Sequence, residues 1–212
     1  MLRKKSIDKY GQVFNLLPGT LIDTAKNNVV TNNGATVTAD HNGRAGRAWA
    51  FNGSSNLTIP QNAVFQGTTQ TIQIAAKSNL QSGELLNFVY KATPTISGIQ
   101  ISYVTGGIEV SIASNQGFYT WGVGDGLSLT YNDWNYISVA VENFGTSVRL
   151  YIAVNGVAKL PRDYSNTNYM SASSQNIVIG SSFNGSIDYI DFRTKYLVID
   201  HIKKLYNHWR SH

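Results

Sequence analysis

The chain has 212 residues, of which 42% are hydrophobic and only 14% are charged, and it contains no cysteine. The missing cysteines exclude disulfides, thiolate metal sites and a cysteine nucleophile. The low charge is unlike that of a long-helix protein rich in Glu, Lys and Ala. The net charge of +5 is concentrated near the two ends, where a basic arm and a solvated helix face explain it better than nucleic-acid binding does. We therefore expect no nucleic-acid partner.

No segment approaches the roughly 18 apolar residues of a membrane span, so we expect no membrane insertion. The basic start of the chain, Met1–Lys9, is not followed by the apolar run of a signal peptide. If Met1 is the native start, this pattern predicts a protein that is not exported by the usual route.

Residues 1–19 have the composition of an N-terminal docking arm that ends at Pro18-Gly19. A basic stretch precedes an apolar one, so charge would steer a partner and burial would hold it. The arm could add a strand to a neighbouring molecule, bind a larger structure or tuck under the body of the protein. The residues predicted to dock on the partner are Arg3, Lys4, Lys5, Phe14, Leu16 and Leu17.

Residues 20–207 are predicted to form one all-β domain. Asn-Gly pairs mark tight hairpins, and between them apolar residues alternate with polar ones, which is the period of strands with one buried face. The clearest such segments are 69–75, 98–104, 108–112, 135–141 and 147–154. The spacing of Ile202, Leu205 and Trp209 predicts one short helix over 199–209, and residues 208–212 are predicted as a tail.

Four blocks of the sequence, taken in order, resemble laminin G-like domains of the concanavalin A-like class. They are an Asp-Thr opening segment at 21–28, a strand–turn–strand with a Phe-Asn-Gly turn at 46–60, a hairpin begun by Trp at 134–156, and a final hairpin, strand and helix at 183–206. The resemblance implies a jelly-roll sandwich of two antiparallel sheets with one short C-terminal helix. It also implies a recognition or structural module rather than an enzyme.

The sequence does not show the paired carboxylates that glycosidases of this fold use. None of the three glutamates, Glu84, Glu109 and Glu142, has a second carboxylate two or three positions away. Asp188 and Asp191 lie three apart on a predicted strand, so they should point to opposite faces. They could not then flank one glycosidic bond, and we predict no catalytic residues.

Asp23 and Asp188 are the candidate ligands of a calcium ion. Strand parity predicts that Asp188 points inward, where a carboxylate needs donors or a cation. The resemblance implies calcium near this position, with Asp23 as a second ligand, but Tyr189 stands where the family commonly has another aspartate. The alternative, which the residues favour, is that Asp188 binds backbone N–H groups or Arg44 or Arg47 and that no cofactor is needed.

The loop 119–126 is the candidate carbohydrate site. Tyr119 and Trp121 offer aromatic rings on which a sugar could stack, and Asp125 offers a carboxylate that accepts hydrogen bonds from hydroxyls. The alternative is that Trp121 packs in the core and that the glycines of the loop only turn the chain.

These features together predict a non-catalytic structural or recognition module. The absence of cysteines and of a visible leader, together with the basic arm, favours a bacteriophage virion surface, on the head or the tail. The arm would dock on other virion proteins or on a second copy of the chain, and a host glycan is a further expected partner. The alternative is a secreted or cell-surface carbohydrate-binding module, and a glycan-active enzyme ranks third.

Overall fold

Short strands with one apolar face form most of the structure. In this computed structural model, the described residues are 11–80, 82–87, 90–92, 95–114, 117–122, 129–165 and 175–212. Within these ranges the elements are β1 (Gln12–Leu16), β2 (Thr31–Asn33), β3 (Thr36–Thr38), β4 (Ala48–Asn52), β5 (Asn56–Ile59), β6 (Thr69–Ser78), β7 (Gly83–Asn87), β8 (Tyr90–Ala92), β9 (Thr95–Ser97), β10 (Ile99–Val104), β11 (Gly107–Ser114), β12 (Gly117–Trp121), β13 (Trp134–Asn143), β14 (Ser147–Val154), β15 (Val157–Ala158), β16 (Arg162–Ser165), β17 (Ile177–Ile179), β18 (Asn184–Arg193) and α1 (Ile199–Ser211). No helix in this part of the chain is long and apolar enough to cross a membrane.

The strands pair into two large antiparallel sheets and one separate hairpin. Over the described residues, the nine-stranded sheet has the order β15-β14-β13-β6-β18-β4-β3, with β1 also paired to β18 and β16 to β14. The seven-stranded sheet has the order β12-β11-β10-β7-β17-β5-β2, and β8 pairs with β9. The predicted fold, a sandwich of two antiparallel sheets with one C-terminal helix, is confirmed.

The inner faces of the two sheets enclose the main core. Ile137 and Val139 of β13 are at most 1% exposed, and they belong to the same cluster as Ile99 and Ile101 of the opposite sheet. Burial of each such side chain stabilises the fold by roughly 1.5–3 kcal/mol. The alternation that predicts these strands is therefore also the main source of their stability.

A second, smaller cluster lies on the outer face of the nine-stranded sheet, where α1 packs. Ile202 and Leu205 of α1 are buried in this cluster together with Tyr136 and Ala140 of β13. The helix continues to Ser211 because Trp209 extends its apolar face onto the sheet. The helix therefore extends two residues beyond the predicted range of 199–209, and residues 208–211 of the predicted tail are helical.

The structure corrects the interpretation of the apolar part of the arm. Strand β1 pairs with β18, and its Phe14 is fully buried with edge-to-face contacts to Phe65 and Phe192. Leu16 is 3% exposed and belongs to the same core. Phe14 and Leu16 thus cannot dock on a partner, because the sandwich already buries them. Leu17 is half-buried at the surface, and the predicted docking residues Arg3, Lys4 and Lys5 lie outside the described residues.

A β-bulge in β18 corrects the predicted direction of Asp188. The register of β18 against β6 shifts between Ile187 and Tyr189, so Asp188 is an extra residue in the strand. Such a bulge reverses the alternation that follows it. Asp188 therefore lies on the helix-covered face and not in the main core. Asp191 shares that face with Tyr189, which packs in the second cluster, so the prediction that the two carboxylates point to opposite faces is wrong.

Candidate functional site

A cleft of about 390 Å³ lies beside the last turns of α1, and we call it the helix cleft. Four segments form its walls. They are the end of β1 with the residues after it, the loop 40–47, the bulge of β18, and the end of α1. The apolar lining consists of Leu17, Pro18, Leu205, Tyr189 and Trp209, and the polar lining of Asn15, Asp40, His41, Arg44, Arg47, Asp188, His208 and His212. Most of the lining surface is nevertheless apolar, because rings and aliphatic stems of the polar residues contribute carbon atoms to it. An apolar surface with a few polar groups is the usual composition of a small-molecule site.

Two glycines bring the first two walls of the cleft together. Gly19 has φ of +67°, and a Cβ built on it would lie 2.0 Å from the carbonyl oxygen of Gly46. Only glycine permits this approach, since any side chain would clash and the backbone conformation is left-handed. The contact holds the segment after β1, with Pro18, against the loop that carries Arg44 and Arg47.

Asp188 is the centre of the polar wall. Its Oδ2 accepts hydrogen bonds from the backbone N–H and from Nδ1 of His41, at 3.1 and 2.7 Å. Its Oδ1 accepts a hydrogen bond from Nε1 of Trp209 at 3.0 Å. Burial raises the pKa of Asp188 by more than these donors lower it. The expectation of a backbone N–H donor is met, but the side-chain partners are His41 and Trp209 and not Arg44 or Arg47.

The His41 ring is held at both nitrogens and on one face. Because Nδ1 donates to Asp188, Nε2 accepts a hydrogen bond from the Asn42 side-chain amide at 2.9 Å. The ring also packs on Trp209, with centroids 4.1 Å apart. An aspartate–histidine pair can orient a general base, but here Nε2 is occupied. His41 therefore joins the loop, the bulge and the helix and does not offer a free base.

Asp40 holds Arg44 in position within the loop 40–47. Its carboxylate accepts hydrogen bonds from the backbone N–H groups of Asn42 and Arg44, both at 2.9 Å, and from Nε of Arg44 at 2.7 Å. Burial acts to raise the pKa of Asp40, but the hydrogen bonds and the charge of Arg44 outweigh it and hold the pKa below its usual value. The Arg44 side chain remains 49% exposed, and among the described residues its terminal guanidinium nitrogens have no partner.

Arg47 provides a second cation at the cleft. Its backbone N–H is bonded to Thr38, while its exposed side chain has no ion pair or hydrogen bond with any residue that the structure describes. His208 and His212 stack on each other at the end of α1, with ring centroids 4.3 Å apart. The solvent-facing polar groups of the cleft are thus mainly hydrogen-bond donors and cations.

The predicted calcium ligands do not fit a metal site as they stand. Asp23 is 2% exposed, and its oxygens accept hydrogen bonds from four backbone N–H groups and from the Asn28 side chain. Asp188 has the three donors given above, so a cation would have to displace nitrogen donors at both carboxylates. Across the described ranges, no group of three or more His, Asp or Glu side chains could hold a metal ion.

The predicted sugar-stacking residues Tyr119 and Trp121 lie on β12, an edge strand of the seven-stranded sheet. Trp121 is 6% exposed and belongs to the main core, which favours the packing alternative, and its remaining exposed edge lines a separate cleft with Leu160 and Pro161. Tyr119 is half-buried and packs against Tyr164, with centroids 4.6 Å apart. Asp125 lies outside the described residues. The structure does not bring Tyr119 or Trp121 to the helix cleft.

Sequence reasoning missed the helix cleft because its walls are far apart in the chain. His41 and Asp188 are separated by 147 positions, and no spacing rule connects them. Two local signals were present. The glycines at 43 and 46 mark an exposed loop that carries two arginines, and the Pro18-Gly19 pair marks a close approach of the backbone.

Comparison with solved structures finds the same architecture in receptor-binding domains. The domain of a botulinum neurotoxin mosaic serotype C/D superposes with a TM-score of 0.75 at 16% identity, over 95% of this chain and 51% of that chain. The domain of botulinum neurotoxin D gives 0.74 at 16% identity, over 96% and 54%. A serotype D ligand-binding domain in complex with N-acetylneuraminic acid gives 0.73 at 15% identity, over 94% and 51%.

These likenesses establish the fold. The chain spans about half the length of each of these neighbours. A scan of protein-family models finds none that matches the sequence, and a search of curated proteins finds no match. The resemblance to laminin G-like domains therefore remains a prediction at the level of the family.

Proposed function

We propose that this protein is a non-catalytic recognition module that binds a glycan in the helix cleft. The observation that carries the proposal is the composition of the cleft, which combines the aromatic rings of Trp209 and Tyr189 with the guanidinium groups of Arg44 and Arg47. A sugar has an apolar ring face and hydroxyl oxygens that accept hydrogen bonds. The volume of about 390 Å³ falls in the range of about 300–1,000 Å³ of small-molecule sites.

The structural neighbours support this class of function. They are receptor-binding domains, and one of them is in complex with N-acetylneuraminic acid. That ligand is a property of the neurotoxin domain, of which the present chain matches about half. The step from a shared fold to a shared kind of ligand is part of the proposal.

The carboxylates of the cleft support binding rather than hydrolysis. Glycoside hydrolysis requires one carboxyl group that donates a proton and a second that acts as a base or nucleophile. Asp40 and Asp188 are each bound by three donors, and Asp191 is fully buried against Arg193 and Gln12. None of these groups has a free oxygen directed at a ligand.

An array of immobilised glycans, probed with the full chain, tests the proposal. His208→Trp should abolish binding, because a larger ring at this exposed lining position fills the cleft. Asn207→Trp is the matched control, since Asn207 is exposed on the same helix but does not line the cleft. If the His208→Trp variant still binds the glycan, the helix cleft is not the binding site. Release of reducing sugar from a bound glycan would refute the non-catalytic role.

The location of the module is a separate proposal that rests on the sequence alone. The virion surface is the first choice and a secreted or cell-surface module is the alternative. Antibody labelling of purified phage particles and of intact cells distinguishes the two. Labelling of cells without labelling of particles would reject the virion location.

A further inference from the structure

We infer that the helix cleft selects glycans that carry an anionic group, a carboxylate or a sulfate ester, and that Arg47 is the residue that recognises it. This inference rests on the proposed function and adds the class of the sugar. The observations are that the guanidinium of Arg47 has no partner among the described residues, that Asp40 holds the guanidinium of Arg44, and that protein donors engage both carboxylates that the structure places in the cleft.

Among the residues that the structure describes, each carboxylate oxygen that lines the cleft accepts a hydrogen bond from a protein donor. Asp188 is held by His41 and Trp209, and Asp40 is held by the backbone of its own loop and by Nε of Arg44. These negative charges thus serve to position cationic and aromatic side chains. A cationic ligand would find no free carboxylate here, whereas an anionic one would find free donors.

The two arginines differ in how far their charge is neutralised. Arg44 shares its charge with Asp40 at 2.7 Å, although its terminal nitrogens remain available. Arg47 has no carboxylate partner within the described part of the chain, and its side chain is exposed at the cleft. A guanidinium binds carboxylate and sulfate oxygens with a planar pair of N–H donors. Arg47 should therefore contribute the larger share of the attraction.

The negative end of the α1 dipole repels an anion weakly. A helix C-terminus has the effect of about half a negative elementary charge, and the last turn of α1 contributes His208 and Trp209 to the cleft. Arg44 is paired with Asp40, so Arg47 supplies the one full positive charge that has no carboxylate partner among the described residues, and this charge exceeds the half charge of the helix end.

Binding of matched sugar pairs to the full chain tests the inference. Sialyllactose is compared with lactose, and a sulfated galactoside with its unsulfated parent, by titration calorimetry. The acidic member of at least one pair should bind about tenfold more tightly, the factor expected for one charge-assisted hydrogen bond, and the preferred pair identifies carboxylate or sulfate. Equal affinity within both pairs would overturn the inference and leave the proposed function intact, while no binding of any glycan would overturn both.

The variant Arg47→Gln should remove this preference, because it should lower the affinity for the acidic sugar far more than the affinity for its neutral counterpart, and Arg47→Lys should restore part of it. Arg210→Gln is the control, because it removes one positive charge from an exposed position of α1 that does not line the cleft. A preference that survives Arg47→Gln, or that Arg210→Gln lowers equally, would show that Arg47 is not the recognition residue. Unchanged melting temperatures exclude misfolding as the cause.

Discussion

The indole nitrogen of Trp209 donates a hydrogen bond of 3.0 Å to Oδ1 of Asp188, which fastens the last turns of α1 to the bulge of β18. The same carboxylate is bonded to His41 through Oδ2. One buried aspartate therefore joins three segments that are remote in sequence: a loop, a strand and the C-terminal helix. The shape of the helix cleft depends on this junction, because residues from all three segments line it.

Trp209→Phe should destabilise the protein by about 1–3 kcal/mol, because it leaves one oxygen of a buried carboxylate without its donor. The measurement is equilibrium unfolding in urea at pH 7. Asp163→Asn is the control. It breaks an exposed pair with Arg149, which solvent screens, so the unfolding midpoint should hardly change. Equal effects of the two substitutions would show that the junction is not a source of stability.

Phe14→Ala should destabilise the protein by about 3–5 kcal/mol, because it removes a fully buried ring from the core. Leu160→Ala provides the comparison, since Leu160 is 87% exposed, and its effect should stay within about 0.5 kcal/mol. Urea unfolding measures both. If Phe14→Ala instead left stability unchanged and abolished binding to a partner, the docking interpretation of this residue would be restored.

The periodicity of the sequence was sufficient to predict the sandwich. In strands such as β13 and β14, aliphatic residues occupy one face at period two, and burial of that face fixes the register. The bulge at Asp188 was not predictable in this way, because no glycine or proline marks the inserted residue. The role of β1 was ambiguous for a related reason. Phe14 and Leu16 suit a partner's surface as well as the protein's own core, and only the pairing with β18, about 180 residues later, decides between them.

Asp23 should make the free energy of unfolding depend on pH in the acidic range. Burial acts to raise its pKa, but hydrogen bonds from the backbone N–H groups of Asn15, Asn28 and Ala25 outweigh burial and lower the pKa below 3.8. The ionised form thus stabilises the folded state above pH 3.8, and this contribution is lost as the pH falls through the lower folded-state pKa. The difference in unfolding free energy between the wild type and Asp23→Asn should therefore narrow below that pH.

The effect of Asp188→Asn on the unfolding free energy should change with pH in the opposite direction, so this variant is an internal control. Because burial raises the pKa of Asp188 above 3.8, its contribution is greatest below that pH and is lost as the pH rises through the folded-state pKa. The difference in unfolding free energy between the wild type and this variant should therefore decrease as the pH rises. Urea unfolding at several pH values measures both trends, and parallel curves for the two variants would contradict these assignments.

Removal of metal ions should leave the melting temperature unchanged to within about 2 °C. Nitrogen donors occupy the oxygens of Asp23 and Asp188, so a cation is not needed to neutralise either carboxylate. Thermal unfolding with and without a chelator is the measurement, and readdition of calcium is its control. A fall of about 10 °C that calcium reverses, worth at least about 1 kcal/mol in a domain of this size, would mean that calcium is structural.

The most direct test of recognition in the helix cleft is an NMR titration of the ¹⁵N-labelled full chain with the glycan that binds most tightly on the array. The indole N–H signal of Trp209 reports on the cleft, and the signals of Tyr119 and Trp121 report on the alternative sugar site. We predict saturable shifts of the Trp209 indole and of the backbone amides of Arg44 and Arg47. Shifts confined to Tyr119 and Trp121, with the Trp209 indole unmoved at saturation, would contradict the account.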